Sequence, residues 1–573
     1  MIPDSVIKDA GKTCLSWDDA DDLVVPDIVT EICGKAFLNN TTLKSISIPN
    51  SVTKIGERAF TRCSSLTQID IPDSVTEISD GTFWGCSSLA QIDIPHSVTK
   101  IGDAAFKGCS SLVRIEIPGS VRIIGERVFS DCPSLGTIEV SADNPVFHSE
   151  DGVLFEGTAL KKFPAGKDVQ TYRIPDFVTE ICEGAFCGCS SLTRIEIPES
   201  VRKIGKEAFE GCSTLAQLNI PNSVETIGMR AFIVCSSLTQ INIPDSVTEI
   251  GLGAFIFCSS LAQVNIPDSV RKIGNMAFLG CSSLVRIEIP DSVTEIGVWA
   301  FLGCSSLVRI EIPDSVKIIG IEAFTGCQAL AAFEVSADNP VLHSEDGVLF
   351  EGTALRIFPA GKDVKTYSIP DFVTDISDGA FEDCLSLTRI DIPGSVTKIG
   401  IEAFVRCSSL TQLNIPDSVT KIGERAFMGC SSLTQIDIPN SVTEIGLGAF
   451  IGCSSLARVD IPDSVEEIGE GAFAGCSVLA RVNIPDSVTK IGERAFAGCS
   501  ALIQVNIPDS VKEIAKRAFT GCSSLMQVNI PGSVTKIGEE VFAMCTLLRT
   551  VYAPKKLNLS EAKIPDSVKI IRF

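Results

Sequence analysis

Hydrophobic positions along this chain recur every 23 residues. Phenylalanine stands at 37, 60, 83, 106 and 129, then by 23 from 186 to 324, then by 23 from 381 to 542, which makes twenty copies of one unit. Residues 54 to 76 show the unit: Lys54-Ile55-Gly56-Glu57-Arg58-Ala59-Phe60-Thr61-Arg62-Cys63-Ser64-Ser65-Leu66-Thr67-Gln68-Ile69-Asp70-Ile71-Pro72-Asp73-Ser74-Val75-Thr76. Leu66-x-x-Ile69-x-Ile71 alternates apolar and polar at its end, which predicts a short strand with Ile69 and Ile71 inward. Pro72 cannot donate to a ladder and ends that strand, and Asp73-Ser74 supply turn chemistry. Val75-x-x-Ile78 returns along the opposite side. Glu57 to Arg62 is expected to form a single helical or 3₁₀ turn that drops Ala59 and Phe60 into the core. Stacked copies make a parallel sheet along one face. The fold class is therefore a repeat solenoid, mostly β, whose single turns cannot bury enough surface to fold alone.

The position four before each Phe is Gly in fifteen of the twenty copies, and otherwise Cys33, Ser79, Cys182, Ser377 or Ala515. A demand for positive φ would admit Asn. The small substitutes point instead to close packing between turns. Nineteen of the 23 cysteines lie three residues after the repeat Phe, from Cys63 to Cys545. Such a column predicts buried, unpaired thiols. Metal binding needs several ligands converging on one point, and neighbouring thiols in a stack would point in parallel rather than toward each other. Unpaired thiols lean toward a reducing compartment.

The unit C-S-S-L-x-x-I-x-I-P-x-S-V-x-x-I-G-x-x-A-F resembles the BspA-like subclass of leucine-rich repeats over nearly the whole chain. The resemblance implies a right-handed curved solenoid, and adhesion or host-protein binding at a cell surface. One solenoid over 1–573 is expected, with a degenerate N-terminal cap repeat at 1–32, where Cys14 replaces Phe, Trp17 replaces Cys, and Asp18 to Asp22 add an acidic loop. Residues 553–573 are expected to form the C-terminal cap.

Twice the Phe spacing jumps from 23 to 57, across 139–175 and 334–370. The two insertions match at an offset of 195, so a block of that length was duplicated whole. Val153 to Phe155 and Leu160 to Phe163 flank Gly157-Thr158 and predict a small protruding hairpin. His148 and His343 lie here beside Glu150-Asp151 and Glu345-Asp346, strings better explained as turn material than as acid–base or metal sites.

Composition narrows the function. The net charge is −23 over 573 residues. A nucleic acid or an anionic membrane would demand a Lys/Arg surplus. No stretch approaches the ~18–20 apolar residues of a spanning helix. Met1 to Val6 lack a basic region followed by an apolar one. The chain is accordingly expected to be soluble, intracellular and monomeric, or at the cell surface or secreted if an upstream signal is missing. Asn39, Asn40 and Asn558 match glycosylation sequons that matter only on export. Catalytic motifs for acyl transfer, phosphate binding and zinc hydrolysis are absent, histidines number three, and no cofactor or metal is expected.

The informative surface is the outward side of the sheet. Its first column alternates between Gln and Arg, as at Gln68, Arg194, Arg286, Arg309 and Arg389. Its second is acid or amide, as at Asp70, Glu196, Glu288, Glu311 and Asp391. Seven turns carry Arg in the first column, and in six of them an acid accompanies it. Amide columns can bond along the sheet. The expected function is a non-enzymatic scaffold that binds a protein through this polar face or through the insertions, with Phe155, Phe350 and both insertion histidines as further candidates. Tyr552 is the one aromatic on the face. The alternative is a cell-surface adhesin, binding host or matrix protein, whose export signal is missing from this chain.

Overall fold

The computed structural model describes residues 21–573, and every regular element among them is a β-strand. Cys14, Trp17 and most of the acidic loop of the N-terminal cap lie outside those residues. The chain winds as a parallel β-solenoid in two compact units. One is Met1–Cys304 with Ile318–Phe324, described from Asp21 onward, and the other is Ser305–Lys317 with Thr325–Phe573.

Within each unit a turn of the coil contributes two strands. The longer is the one that the alternating pattern predicts: Gln435–Asp437 stacks in register on Arg458–Asp460, with Ile436 against Val459. Its central residue is buried and its flanking residues are exposed. The shorter is a two-residue strand on the return path, as where Lys421–Ile422 pairs with Glu444–Ile445. The return was expected, but its pairing into a second parallel ladder was not.

The helical turn expected at 57–62 is replaced by tight turns. Alternate N–H groups leave their own turn of the coil: Arg58 and Phe60 donate to the carbonyls of Asp80 and Thr82, both at 2.9 Å. Between them Ala59 and Thr61 donate back to Gly56 and Arg58. A helix uses its N–H groups within its own segment, so it cannot share them this way. Arg58 and Arg62 take the left-handed conformation, with φ of 57° and 61°, which turns the chain sharply around Ala59 and Phe60.

The core is a stack of rings. From Phe381 to Phe542 successive repeat phenylalanines lie 5.0 to 6.1 Å apart between centroids. The cysteine column is buried beside them and forms no disulfides. Along the column the thiols have a partner that no sequence pattern reveals, the carbonyl of the Phe in the preceding turn, as in Cys86 Sγ to Phe60 O at 3.1 Å and Cys453 Sγ to Phe427 O at 3.2 Å. Cys33, outside that column, is disulfide-bonded. The serine of the Ile-Pro-x-Ser-Val block also reaches back one turn, Ser97 Oγ donating to Val75 O at 2.7 Å.

The small residue before each Phe is explained by proximity. A Cβ on Gly423 would fall on the carbonyl oxygen of Gly400, well inside contact distance, and no positive φ is involved. A Cβ on exposed Gly394 would meet nothing within 4 Å. Gly423→Ala is therefore expected to cost about 1–3 kcal/mol as overpacking, and Gly394→Ala no more than about 0.5 kcal/mol. Denaturant midpoints of the two variants test this, and equal shifts would contradict the packing account.

The insertions are more than hairpins. Phe147–Glu150, Val153–Glu156 and Ala159–Lys162 form an antiparallel meander whose last strand joins the short ladder by pairing parallel with Glu180–Ile181. Asp151 and Gly152, with φ of 51° and 73°, make the first turn, the left-handed pair typical of a tight hairpin. Val153, Leu154, Phe155, Leu160 and Phe163 are all buried. The expected protrusion is thus built into the wall of the coil, because those side chains point into the core. At the ends, Asp22–Val24 stacks on Ser45–Ser47, which places Asp22 in a strand rather than in the acidic loop, and Lys569–Arg572 closes the long ladder against Thr550–Ala553.

Candidate functional site

In-register stacking turns the predicted positions into two exposed columns. Arg194, Ile195 and Glu196 lie directly beside Gln217, Leu218 and Asn219, and Arg389, Ile390 and Asp391 beside Gln412, Leu413 and Asn414. Gln68 and Asp70 occupy the same two columns nearer the N-terminus.

All six arginine–acid turns close as ion pairs. The distances are 3.7 Å for Arg114–Glu116, 3.0 Å for Arg194–Glu196, 2.8 Å for Arg286–Glu288 and 3.4 Å for Arg309–Glu311. Arg389–Asp391 closes at 2.8 Å and Arg458–Asp460 at 2.7 Å. These side chains are about half exposed or more, so the pairs add little stability; their consequence is local charge neutrality. Arg114 and Arg309 also reach the acids of the next turn, Glu139 and Glu334.

The amide ladder forms less fully than the sequence suggests. Asn265 donates to Asn242 at 2.8 Å. Gln217, Asn219 and Gln240 in one unit, and Gln412, Asn414 and Gln435 in the other, make no side-chain hydrogen bond to any described residue and face outward. They line shallow depressions of about 380 Å³, with Arg194 and Glu196 alongside, and about 220 Å³, with Arg389 and Asp391 alongside. The two depressions sit at the duplication offset of 195. Tyr552 is half-buried in the second column, flanked by Asn529 and Ile571 rather than at an open edge.

The insertion candidates gather around a residue that the sequence reading missed. His148 stacks on Phe155 at 5.2 Å, and Phe177 closes on both, at 5.7 and 5.3 Å. The second insertion repeats the arrangement with His343, Phe350 and Phe372. Phe155 and Phe350 are buried supports, so the accessible edge is His148 with Phe177, or His343 with Phe372. Beside it the acidic string acts as a turn, Asp151 pairing with Lys167 at 3.1 Å. Tyr172 and Tyr367 stand where other turns have an inward Ile, and burial pushes their phenols above the usual range. Among the described residues no three His, Cys, Asp or Glu converge as metal ligands would, and no helix is long and apolar enough to cross a membrane.

Comparison with known proteins follows from this geometry. Among solved structures, a leucine-rich repeat protein from Eubacterium ventriosum shares the fold: it is 24% identical, covers 59% of this chain and 95% of its own, and superimposes with a TM-score of 0.50. A leucine-rich cell surface protein from Faecalibacterium prausnitzii is 24% identical over 84% of this chain and 94% of its own, with a TM-score of 0.37. The pneumococcal vaccine antigen PcpA is 21% identical over 74% and 90%, with a TM-score of 0.35. No curated protein matches the chain. The model of the BspA type leucine-rich repeat region matches residues 9–149, 161–284, 248–366, 356–479 and 466–564. With that match spread over most of its turns, the chain belongs to the BspA-type leucine-rich repeat family.

Proposed function

We propose that this chain is a protein-interaction scaffold that engages its partner through the outward face of the long ladder. The observation that carries the reading is the set of free amides at Gln217, Asn219, Gln240, Gln412, Asn414 and Gln435. Each offers a donor and an acceptor on a rigid strand, and a partner backbone or polar side chain would use both. The flanking arginine–acid pairs neutralise one edge of each depression, and Asp437, where the first has Asn242, adds a carboxylate to the second. The duplicated block gives two similar faces, which suits a repetitive or bivalent partner.

The test compares capture of native binding partners by the wild-type chain and by a face variant carrying Gln217→Ala, Asn219→Ala, Gln412→Ala and Asn414→Ala. Exposed substitutions of this kind shift stability by no more than about 0.5 kcal/mol each, so lost capture at an unchanged melting temperature supports the face. Capture that survives these changes but is lost in a His148→Ala, Phe177→Ala variant would move the site to the insertion.

A second reading, a cell-surface adhesin, is favoured by the Cys33 disulfide, since such bonds persist in oxidising surroundings. Surface labelling of the native protein on intact cells separates the two readings.

A further inference from the structure

We infer that the cleft beside Ala159–Lys162 binds a small organic carboxylate through the ammonium of Lys162. Only two charged side chains are buried among the described residues, Lys162 and Glu207, each 6% exposed. Glu207 is compensated, meeting Arg127 and Arg230. Lys162 is not. Its Nζ donates to two backbone carbonyls, Gly184 O at 3.0 Å and Cys187 O at 3.2 Å, and no carboxylate of the described residues lies within ion-pair reach. An ammonium carries three donors, so one is left over, and a buried charge without a counter-charge is costly.

The insertion creates the space. The short ladder that ends at Ile123–Ile124 does not continue into Ala159–Lys162, which instead belongs to a new sheet that begins with the meander at Phe147–Glu150. The gap is a cleft of about 380 Å³ that Lys162 lines together with Val128, Phe129 and Leu154. That volume is within the range of small-molecule sites, and those three side chains supply apolar atoms to a lining that is otherwise largely polar. The other cations at its rim are already matched: Arg127 with Glu183 at 2.9 Å, Lys206 with Glu183 at 3.1 Å, Lys203 with Glu180 at 2.8 Å and Lys161 with Glu156 at 3.1 Å. One free positive charge in a cleft with these apolar atoms fits a monocarboxylate with a hydrophobic body, and does not fit phosphate.

The duplication shows that the lysine is not there to build the insertion. Residues 139–175 and 334–370 differ at five positions, 147, 161, 162, 170 and 173, and at one of them Lys162 becomes Ile357. Around the same cleft Lys206 and Arg127 correspond to Ile401 and Glu322. An apolar residue is therefore compatible with the meander, and the charge is peculiar to the first copy. The inference is independent of the partner-binding reading, whose face lies on the other ladder.

Isothermal titration of the full chain at constant ionic strength tests it, with benzoate as probe, benzyl alcohol as its neutral analogue and inorganic phosphate as a third arm. Benzoate is expected to bind saturably. Lys162→Ile, which copies the second insertion, should weaken it at least about tenfold, the share of a charge-assisted contact, while the weak binding of benzyl alcohol stays unchanged. Phosphate should give no saturable heat. Absence of saturable benzoate binding to the wild type, or equal benzoate affinity in the variant, would overturn the inference, as would phosphate binding in place of benzoate. Should Lys162→Ile misfold, reductive methylation of the wild type decides the matter. Benzoate should slow labelling at Lys162 and leave exposed Lys44 unaffected, and equal labelling with and without benzoate would refute the site.

Discussion

Between about pH 9 and pH 12 the protein is expected to lose its fold, because its core is lined with thiols whose ionisation burial strongly opposes. Burial pushes Cys132, Cys182, Cys187 and Cys545 from the ordinary value of 9.0 up to about 11, and Cys258 and Cys476 up to about 12. The same cause raises Cys384, Cys430, Cys453, Cys499 and Cys522. In every case the folded chain holds a proton that the unfolded chain releases near pH 9. The stabilising contribution is therefore complete below pH 9 and is lost as pH climbs toward the folded value. One such thiol removes about 1.4 kcal/mol per pH unit. Were the whole second unit to open at once, its seven raised thiols, Cys384, Cys430, Cys453, Cys476, Cys499, Cys522 and Cys545, would together remove up to roughly 10 kcal/mol per pH unit between about pH 9 and pH 11. That is comparable with the whole stability of a folded domain. Circular dichroism and ultraviolet thiolate absorbance, followed together through an alkaline titration, should change in step. Thiolate appearing while the β signal is intact would show that the column ionises in the folded state and would sink the account.

How far the sequence foretold this structure depends on what each residue answers to. Burial was legible because it repeats: Phe60, Ile69, Ile71 and Cys63 return at fixed spacing, and a column of one side-chain type has one environment. Gly56 and Gly423 were legible as small residues because Ser79 and Ala515 stand in for them where Asn does not. Asp151-Gly152 was legible as a turn from local chemistry alone. Hydrogen-bond partners were not. Arg58 and Phe60 bond to residues of the next turn, and no local preference distinguishes that from a helix. The thiol bond from Cys86 to the Phe60 carbonyl is hidden for the same reason. The candidate face was legible as two columns, since register follows from the repeat, but which amides are free was not, because that depends on rotamers rather than on spacing. Phe177 joined His148 unannounced. It lies in a Pro-x-Phe-Val block where other turns have Ser, and that departure from the repeat was the available signal.

Phe427→Ala is expected to destabilise the second unit by about 3–5 kcal/mol, the usual cost of truncating a fully buried ring. Phe427 has no exposed surface and lies between Phe404 at 5.1 Å and Phe450 at 5.2 Å, each with an interplanar angle of 3°. The gap left by its ring would have little room to close. Its backbone N–H is bonded to Ala449 O at 2.8 Å, and its carbonyl accepts from the Cys430 N–H and from the Cys453 thiol, both at 3.2 Å. These bonds fix the spacing of the turns independently of the ring. The cavity would therefore persist, and cavities that persist are the expensive ones. Position in the stack supplies an internal control. Phe542 has a single ring neighbour, Phe519 at 6.1 Å, and stands one turn from the end of the long ladder. In a coil whose turns are stabilised by their neighbours, a terminal turn contributes one interface where an internal turn contributes two. Phe542→Ala is accordingly expected to cost less than Phe427→Ala. Denaturant midpoints at unchanged slope give both values. Limited proteolysis of Phe427→Ala should cut first within 420–455, where the coil opens locally. A loss at Phe542 equal to or larger than the loss at Phe427 would show that stability is pooled along the unit rather than held between neighbouring turns.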